Sequence, residues 1–302
     1  MKTLKREPLD HLSVRRILVP IVFADSSRHI LPQAAWLARR LQAEITLLHV
    51  VEPLNYPAGI FEVGDKITAQ DLTSRVILQA QRDLDQLFLP ELDGIVVTRV
   101  LLHGEPAIEI ANTAFRKDID LIMMATRGFG AFHRFLVGSV TAKVLHESDC
   151  PVWTAAHSED PAASAEIDVR NVLCSVDLSH HSYRTTALAA QLATSLGAAL
   201  TLVHITESVG TYGPGGMRVD SEWREAIVGL ATKEMDALQH TVGTNAEVII
   251  DSGNVLQLLN QAAQQSKADL LVIGHSPIRS HLGNNGNGFA IIRESRIPVL
   301  SV

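Results

Sequence analysis

A chain of 302 residues is about twice the length of an ordinary domain, so two cores of usual size are expected. Hydrophobic residues make up 46% of it, charged residues 20% and aromatic residues only 5%, so the cores must be built from Leu, Ile, Val and Ala, as in α/β proteins. The formal net charge of −7 leaves no cationic excess to neutralise a phosphate backbone, which argues against DNA or RNA as a partner.

The opening MKTLKREPLDHL is polar and lacks the apolar stretch of a secretion signal. Later apolar runs are interrupted by Gln, Thr, Ser or His well short of a membrane span, so the expected location is the cytoplasm, with no membrane partner. Beyond the opening, strand-like runs alternate with helical patterns. RILVPIVF, ITLLHVV, IVVTRVLL, LIMMA and CPVWTA are short and rich in β-branched residues, and helical periodicity covers 27–42, 66–89, 105–117 and 139–147. From 156 to 169, AHSEDPAASAEIDV loses the apolar period and reads as a linker. NVLCSVDL, ALTLVHI, AEVII, LLVIG and IPVLSV then repeat the strand order.

The repetition extends to individual residues. Placing 17–52 over 172–207 needs no gap and matches about a third of the positions, among them Leu18/Leu173, Ala38/Ala193, His49/His204 and Glu52/Glu207. A second block matches Gly104 to Gly253, Asp120 to Asp269 and Leu121 to Leu270. The chain is therefore expected to form two domains, 13–156 and 169–302, each a five-stranded parallel, doubly wound α/β sheet.

Ligands of such sheets bind beyond the carboxyl ends of the strands, where the strand order switches. In the first copy the fourth strand leads into MMATRGFGAFHRFLVGSVTAKVL, a glycine-bearing loop before a helix. Glycines let backbone amides approach a ligand, and a helix start adds further donors for phosphate. Arg127, His133 and Arg134 are equally readable as phosphate partners and as solvated surface. His49 and His204, at the end of the second strand in each copy, read as hydrogen-bonded structural residues, because no Cys or acidic partner stands at metal spacing. His180–His181, after Ser179, read as a solvent-exposed helix start with capping, and GNNGNG at 283–288 as a loop. Cys150 and Cys174 read as small buried hydrophobes. No metal site is expected. A G-x-G-x-x-G turn after the first strand, a GK[ST] P-loop and a G-x-S-x-G elbow are all missing from the sequence, and no nucleophile stands beside a base, so no catalytic residues are assigned.

The loop resembles the ATP-binding motif of the universal stress proteins: glycine, two residues, glycine, nine residues, then Gly-Ser or Gly-Thr. Ala125 takes the first position, Gly128 the second, and Gly138–Ser139 close the motif. ILVP in the first strand, HVVEP after the second and Gly104-Glu105-Pro106 before the third helix extend the likeness over nearly the whole chain. The resemblance implies an adenine nucleotide alpha hydrolase-like fold, with two units packed as an intramolecular pseudo-dimer through Val152-Trp153-Thr154 and Val299-Leu300-Ser301.

It further implies that Pro20, Ile21 and Val22 line the adenosine side. Met124, Ala125, Arg127 and Gly128 follow the ribose and phosphates, and Gly138, Ser139 and Val140 hold the phosphates. The family usually has aspartate where Val22 stands. In the second copy Asp177 holds that position and Gly274 the first glycine, while Pro277 replaces the second glycine and Asn287–Gly288 the Gly-Ser pair, so that site is expected to be degenerate. The implied function is a non-catalytic, stress-response protein binding ATP or another adenine nucleotide, with or without Mg. The alternatives are an interaction scaffold that binds no nucleotide, and an enzyme acting slowly on phosphate. A homodimer and unnamed protein partners are compatible with each.

Overall fold

The computed structural model describes residues 14–23, 30–53, 69–87, 89–125, 137–155, 168–207, 221–274 and 287–302. The chain divides into two compact units, with the boundary between Ile167 and Asp168. In the first unit the strands are β1 (Arg16–Pro20), β2 (Glu44–Val51), β3 (Val97–His103), β4 (Leu121–Met124) and β5 (Val152–Thr154). Helices α1 (Leu31–Leu41), α2 (Ala69–Gln86), α3 (Pro106–Arg116) and α4 (Ser139–Glu147) alternate with them. The strands are all parallel and stand in the order β3-β2-β1-β4-β5. The connection from β1 runs to β2 on one side and that from β4 to β5 on the other, so the strand order switches between β1 and β4. Right-handed crossovers then put α1 and α2 on one face and α3 and α4, which pack together, on the other.

The second unit repeats this plan. Strands β6 (Asn171–Ser175), β7 (Ala199–Glu207), β8 (Glu247–Gly253), β9 (Leu270–Ile273) and β10 (Val299–Ser301) run parallel in the order β10-β9-β6-β7-β8. They alternate with α5 (Ser182–Leu196), α6 (Ser221–Val242), α7 (Val255–Gln265) and α8 (Asn287–Glu294). The α/β class and the five-stranded parallel sheets read from the sequence are the observed ones.

Strands covered on both faces have no polar side to alternate with, and Ile17, Leu18, Val19, Leu121, Ile122, Met123 and Met124 are buried in succession. Trp153 on β5 is 0% exposed, and its Nε1 donates to Oε1 of Gln33 on α1, itself 2% exposed, at 2.9 Å. The buried indole N–H is thus satisfied.

Several element boundaries differ from the sequence reading. The helix read over 27–42 starts at Leu31, with Pro32 in its first turn, where a fixed φ and a missing amide hydrogen cost nothing. GNNGNG is not wholly loop, because Asn287 and Gly288 already belong to α8. At His180–His181 the start of α5 is held by neighbours: Ser179 Oγ accepts the His181 amide at 3.2 Å, and His181 makes no side-chain cap.

Asp120 and Asp269, matched by the repeat, have the same structural task. Asp120 Oδ2 accepts the amides of Arg15 and Arg16, both at 2.9 Å, where β1 begins. Asp269 Oδ2 accepts those of Arg170 and Asn171, also at 2.9 Å, where β6 begins. Each carboxylate clips the first strand of its unit to the fourth. Asp120→Ala is expected to cost about 1–3 kcal/mol in urea unfolding, the usual loss when hydrogen bonds to a charged group are removed. Faster amide exchange at Arg16 should accompany it, and an unchanged unfolding midpoint would count against the clip.

Candidate functional site

At the carboxyl ends of β1, β2 and β4 the first unit opens into a cavity of about 210 Å³. β1 runs on through Ile21, whose amide donates to the Leu48 carbonyl at 2.8 Å, and the Ile21 carbonyl meets His49 Nδ1 at 2.9 Å. These two bonds fix the strand end and turn Val22 outward, 48% exposed. His49 therefore has the hydrogen-bonded structural role read from the sequence, and His204 repeats it, with Nδ1 at 2.7 Å from the Val176 carbonyl.

The opposite wall is the start of α4. Gly138 is its N-cap residue and carries no side chain to satisfy the first amides of the helix. Thr141 Oγ1 donates to the Ala125 carbonyl at 3.1 Å, tying the first turn of α4 to the end of β4. Pro20, Ile21, Val22, Met124, Ala125, Gly138, Ser139 and Val140, singled out from the sequence, all line this one cavity. Arg127, Gly128, His133 and Arg134 lie outside the described residues.

Sequence reading missed Leu48, Val50, Glu52, Pro106, Ile110 and Thr141, which complete the lining. The β2 residues could have been found from the repeat, since Glu52 matches Glu207 at the end of the corresponding strand. The α3 residues follow from its start, where Glu105 Oε2 accepts the Ile108 amide at 2.9 Å and Pro106 occupies the first turn. Glu105 also accepts from Lys143 Nζ of α4 at 2.8 Å. The bond from Lys143, then that from the Ile108 amide, holds the Glu105 carboxyl below its ordinary value. Glu105, and more weakly Glu147 and Glu52, hold the Lys143 ammonium above its own.

The second unit answers differently at the same place. Asp177 and Gly274 line a cavity of about 30 Å³, room for a water or two, together with Ser175, His181, Ser182, Thr185, Ile273 and Ile291. Asp177 Oδ1 accepts Ser182 Oγ at 2.7 Å and the Ser179 amide at 3.0 Å, so the carboxylate is turned back onto the start of α5. Gly274 faces Thr185 closely: a Cβ there would lie 3.2 Å from Thr185 Oγ1.

Partial burial acts to raise the Asp177 pKa, but the hydrogen bonds from Ser182 and Ser179 outweigh it and leave it below its ordinary value. A depressed carboxyl contributes stability that is present above the unfolded-state pKa, about 4, and is lost as pH falls through the folded value. Asp177→Asn should therefore melt at a lower temperature than the parent protein at pH 7, with the gap closing below pH 4. A gap that persists at pH 2 would contradict this.

Among the described residues no cluster of three or more His, Cys, Asp or Glu is placed to hold a metal ion, and no helix is long and apolar enough to cross a membrane. Cys150 and Cys174 are both buried and neither is in a disulfide. Burial pushes the Cys174 thiol up to about 12, so it stays protonated and unreactive.

The profile of the universal stress protein family matches residues 13–155 and again 168–302, nearly the whole chain. The chain belongs to the universal stress protein family. It is a tandem member, with one family match in each unit. Universal stress protein YxiE of Bacillus subtilis is 31% identical over 142 residues, which are 45% of this chain and 95% of that protein. A universal stress protein of Mycolicibacterium smegmatis is 30% identical over 202 residues, 65% of this chain and 66% of the relative. The crystal structure of a universal stress protein from Archaeoglobus fulgidus superposes with a TM-score of 0.66 over 95% of this chain and 98% of that one, at 21% identity, a likeness of fold.

Proposed function

We propose that this tandem universal stress protein binds one adenine nucleotide per chain, ATP foremost, in the cavity of its first unit, as a regulatory rather than a reacting ligand. The observation that carries the reading is the pairing of two surfaces in one cavity. Ile21, Leu48, Val50, Ile110 and Met124 offer an apolar seat for a purine, and the uncapped amides at Gly138–Val140 offer donors for phosphate. Arg127 and Gly128 are assigned to the phosphate side by their place in the motif. Mg²⁺, where present, would arrive bound to the phosphates. No histidine lines the cavity among the described residues. The second unit, with its far smaller cavity, serves in this reading as a structural copy and a surface for protein partners. A cytoplasmic role in the stress response accords with the family.

Equilibrium binding of ATP to the full chain tests the assignment. Binding with one site per chain is expected, together with a rise in melting temperature that grows with ATP, since ligand at 100 times its Kd stabilises by about 2.7 kcal/mol. No binding and no thermal shift at millimolar ATP would leave the interaction scaffold as the better reading.

A further inference from the structure

The first-unit cavity contains one ionisable side chain among its described lining residues, and that is Glu52. Its neighbours there are apolar apart from the two hydroxyls of α4, and Thr141 already spends its hydrogen on Ala125. A carboxylate can only accept, so any ligand filling the cavity must present an N–H or O–H to Glu52 or leave it in water. The internal repeat sharpens the point. At the end of the first strand the second unit has Asp177 where the first has Val22, while both units carry a glutamate at the end of the next strand, Glu52 and Glu207. Val22 and Glu52 line the same cavity, whereas Asp177 is taken up by Ser182 and Ser179.

We infer that Glu52, the one carboxylate among the described lining residues, is a specificity-determining residue, which selects ligands whose neutral part carries a hydrogen-bond donor. This inference rests on the nucleotide reading above. Two parts of an adenine nucleotide supply such a donor, the ribose hydroxyls and the exocyclic amine. Lys143, whose Nζ is bonded to Glu105 and which also feels the Glu52 charge, partly offsets the repulsion between Glu52 and the phosphates.

The test compares ATP, 2′-deoxy-ATP and inosine triphosphate on the parent protein, Glu52→Ala and Glu52→Gln. The expected result is that the parent binds ATP about tenfold more tightly than one of the two analogues, the deoxy form if a ribose hydroxyl is read and the inosine form if the amine is. Glu52→Ala should weaken ATP to the level of that analogue and leave the analogue unchanged. Glu52→Gln, which keeps a carbonyl acceptor, should fall between. If Glu52 instead faces phosphate, its removal relieves repulsion and tightens all three ligands, and that sign overturns the inference. ATP binding by the parent with equal affinity for all three also overturns it while leaving the nucleotide reading intact. Absence of any nucleotide binding by the parent rejects both.

Discussion

Trp153→Ala is expected to destabilise the first unit by about 3–5 kcal/mol, the usual cost of emptying a site that held a large aromatic side chain. The residue is fully buried on β5, and truncation removes both its packing and the donor that satisfies Gln33. Trp153→Phe separates the two contributions. It retains most of the apolar volume but leaves the Gln33 oxygen buried without its donor, an expected loss of about 1–3 kcal/mol. Urea unfolding followed by amide exchange on β1 and β4 would assign the change to the first unit, because a two-domain chain need not melt in a single step. A Trp153→Phe protein as stable as its parent would show that the indole hydrogen bond contributes nothing net.

Gly138→Val should reduce ATP affinity at least tenfold, about 1.4 kcal/mol, with little effect on the fold. Gly138 stands at the mouth of the α4 start, where a branched side chain would cover the amides of Ser139 and Val140, and its backbone angles of −55° and 145° are open to any residue. The prediction thus concerns occlusion rather than strain, and melting temperature without nucleotide should hardly change. Equal ATP titrations for parent and variant would remove the phosphate seat from α4.

Much of the architecture could be read in advance because strands buried on both faces have no polar alternation. RILVP and LIMM are nearly continuous apolar runs for that reason, and the two blocks of matching residues revealed the duplication. The cavity was half legible. Residues at the ends of β1 and β4 and at the start of α4 follow from the switch-point rule and the glycine spacing. Glu52 was visible only as a repeated residue, and Ile110 not at all, because it reaches the site from α3 and only the fold brings that helix to the strand ends. The fate of Asp177 was equally hidden. Nothing in its spacing shows that Ser182, five positions on, would take up the carboxylate. Asp120 was visible as a repeated residue, but its two amide partners lie more than a hundred positions upstream.

The Lys143–Glu105 pair gives the first-unit cavity a mechanical property. Glu105 caps α3 while it grips α4, so the two helices act as linked levers on either side of a doorway. Anything that pushes the start of α4 aside must drag the Pro106 jamb with it or part the link. Both partners are open to solvent, but at 2.8 Å they stand well inside the Debye length of roughly 8 Å at physiological strength, so dissolved salt weakens the pair only in part. Raising the ionic strength should therefore loosen the link between the two helices without abolishing it, and should alter the rates of ligand entry and exit more than the depth of the seat behind it.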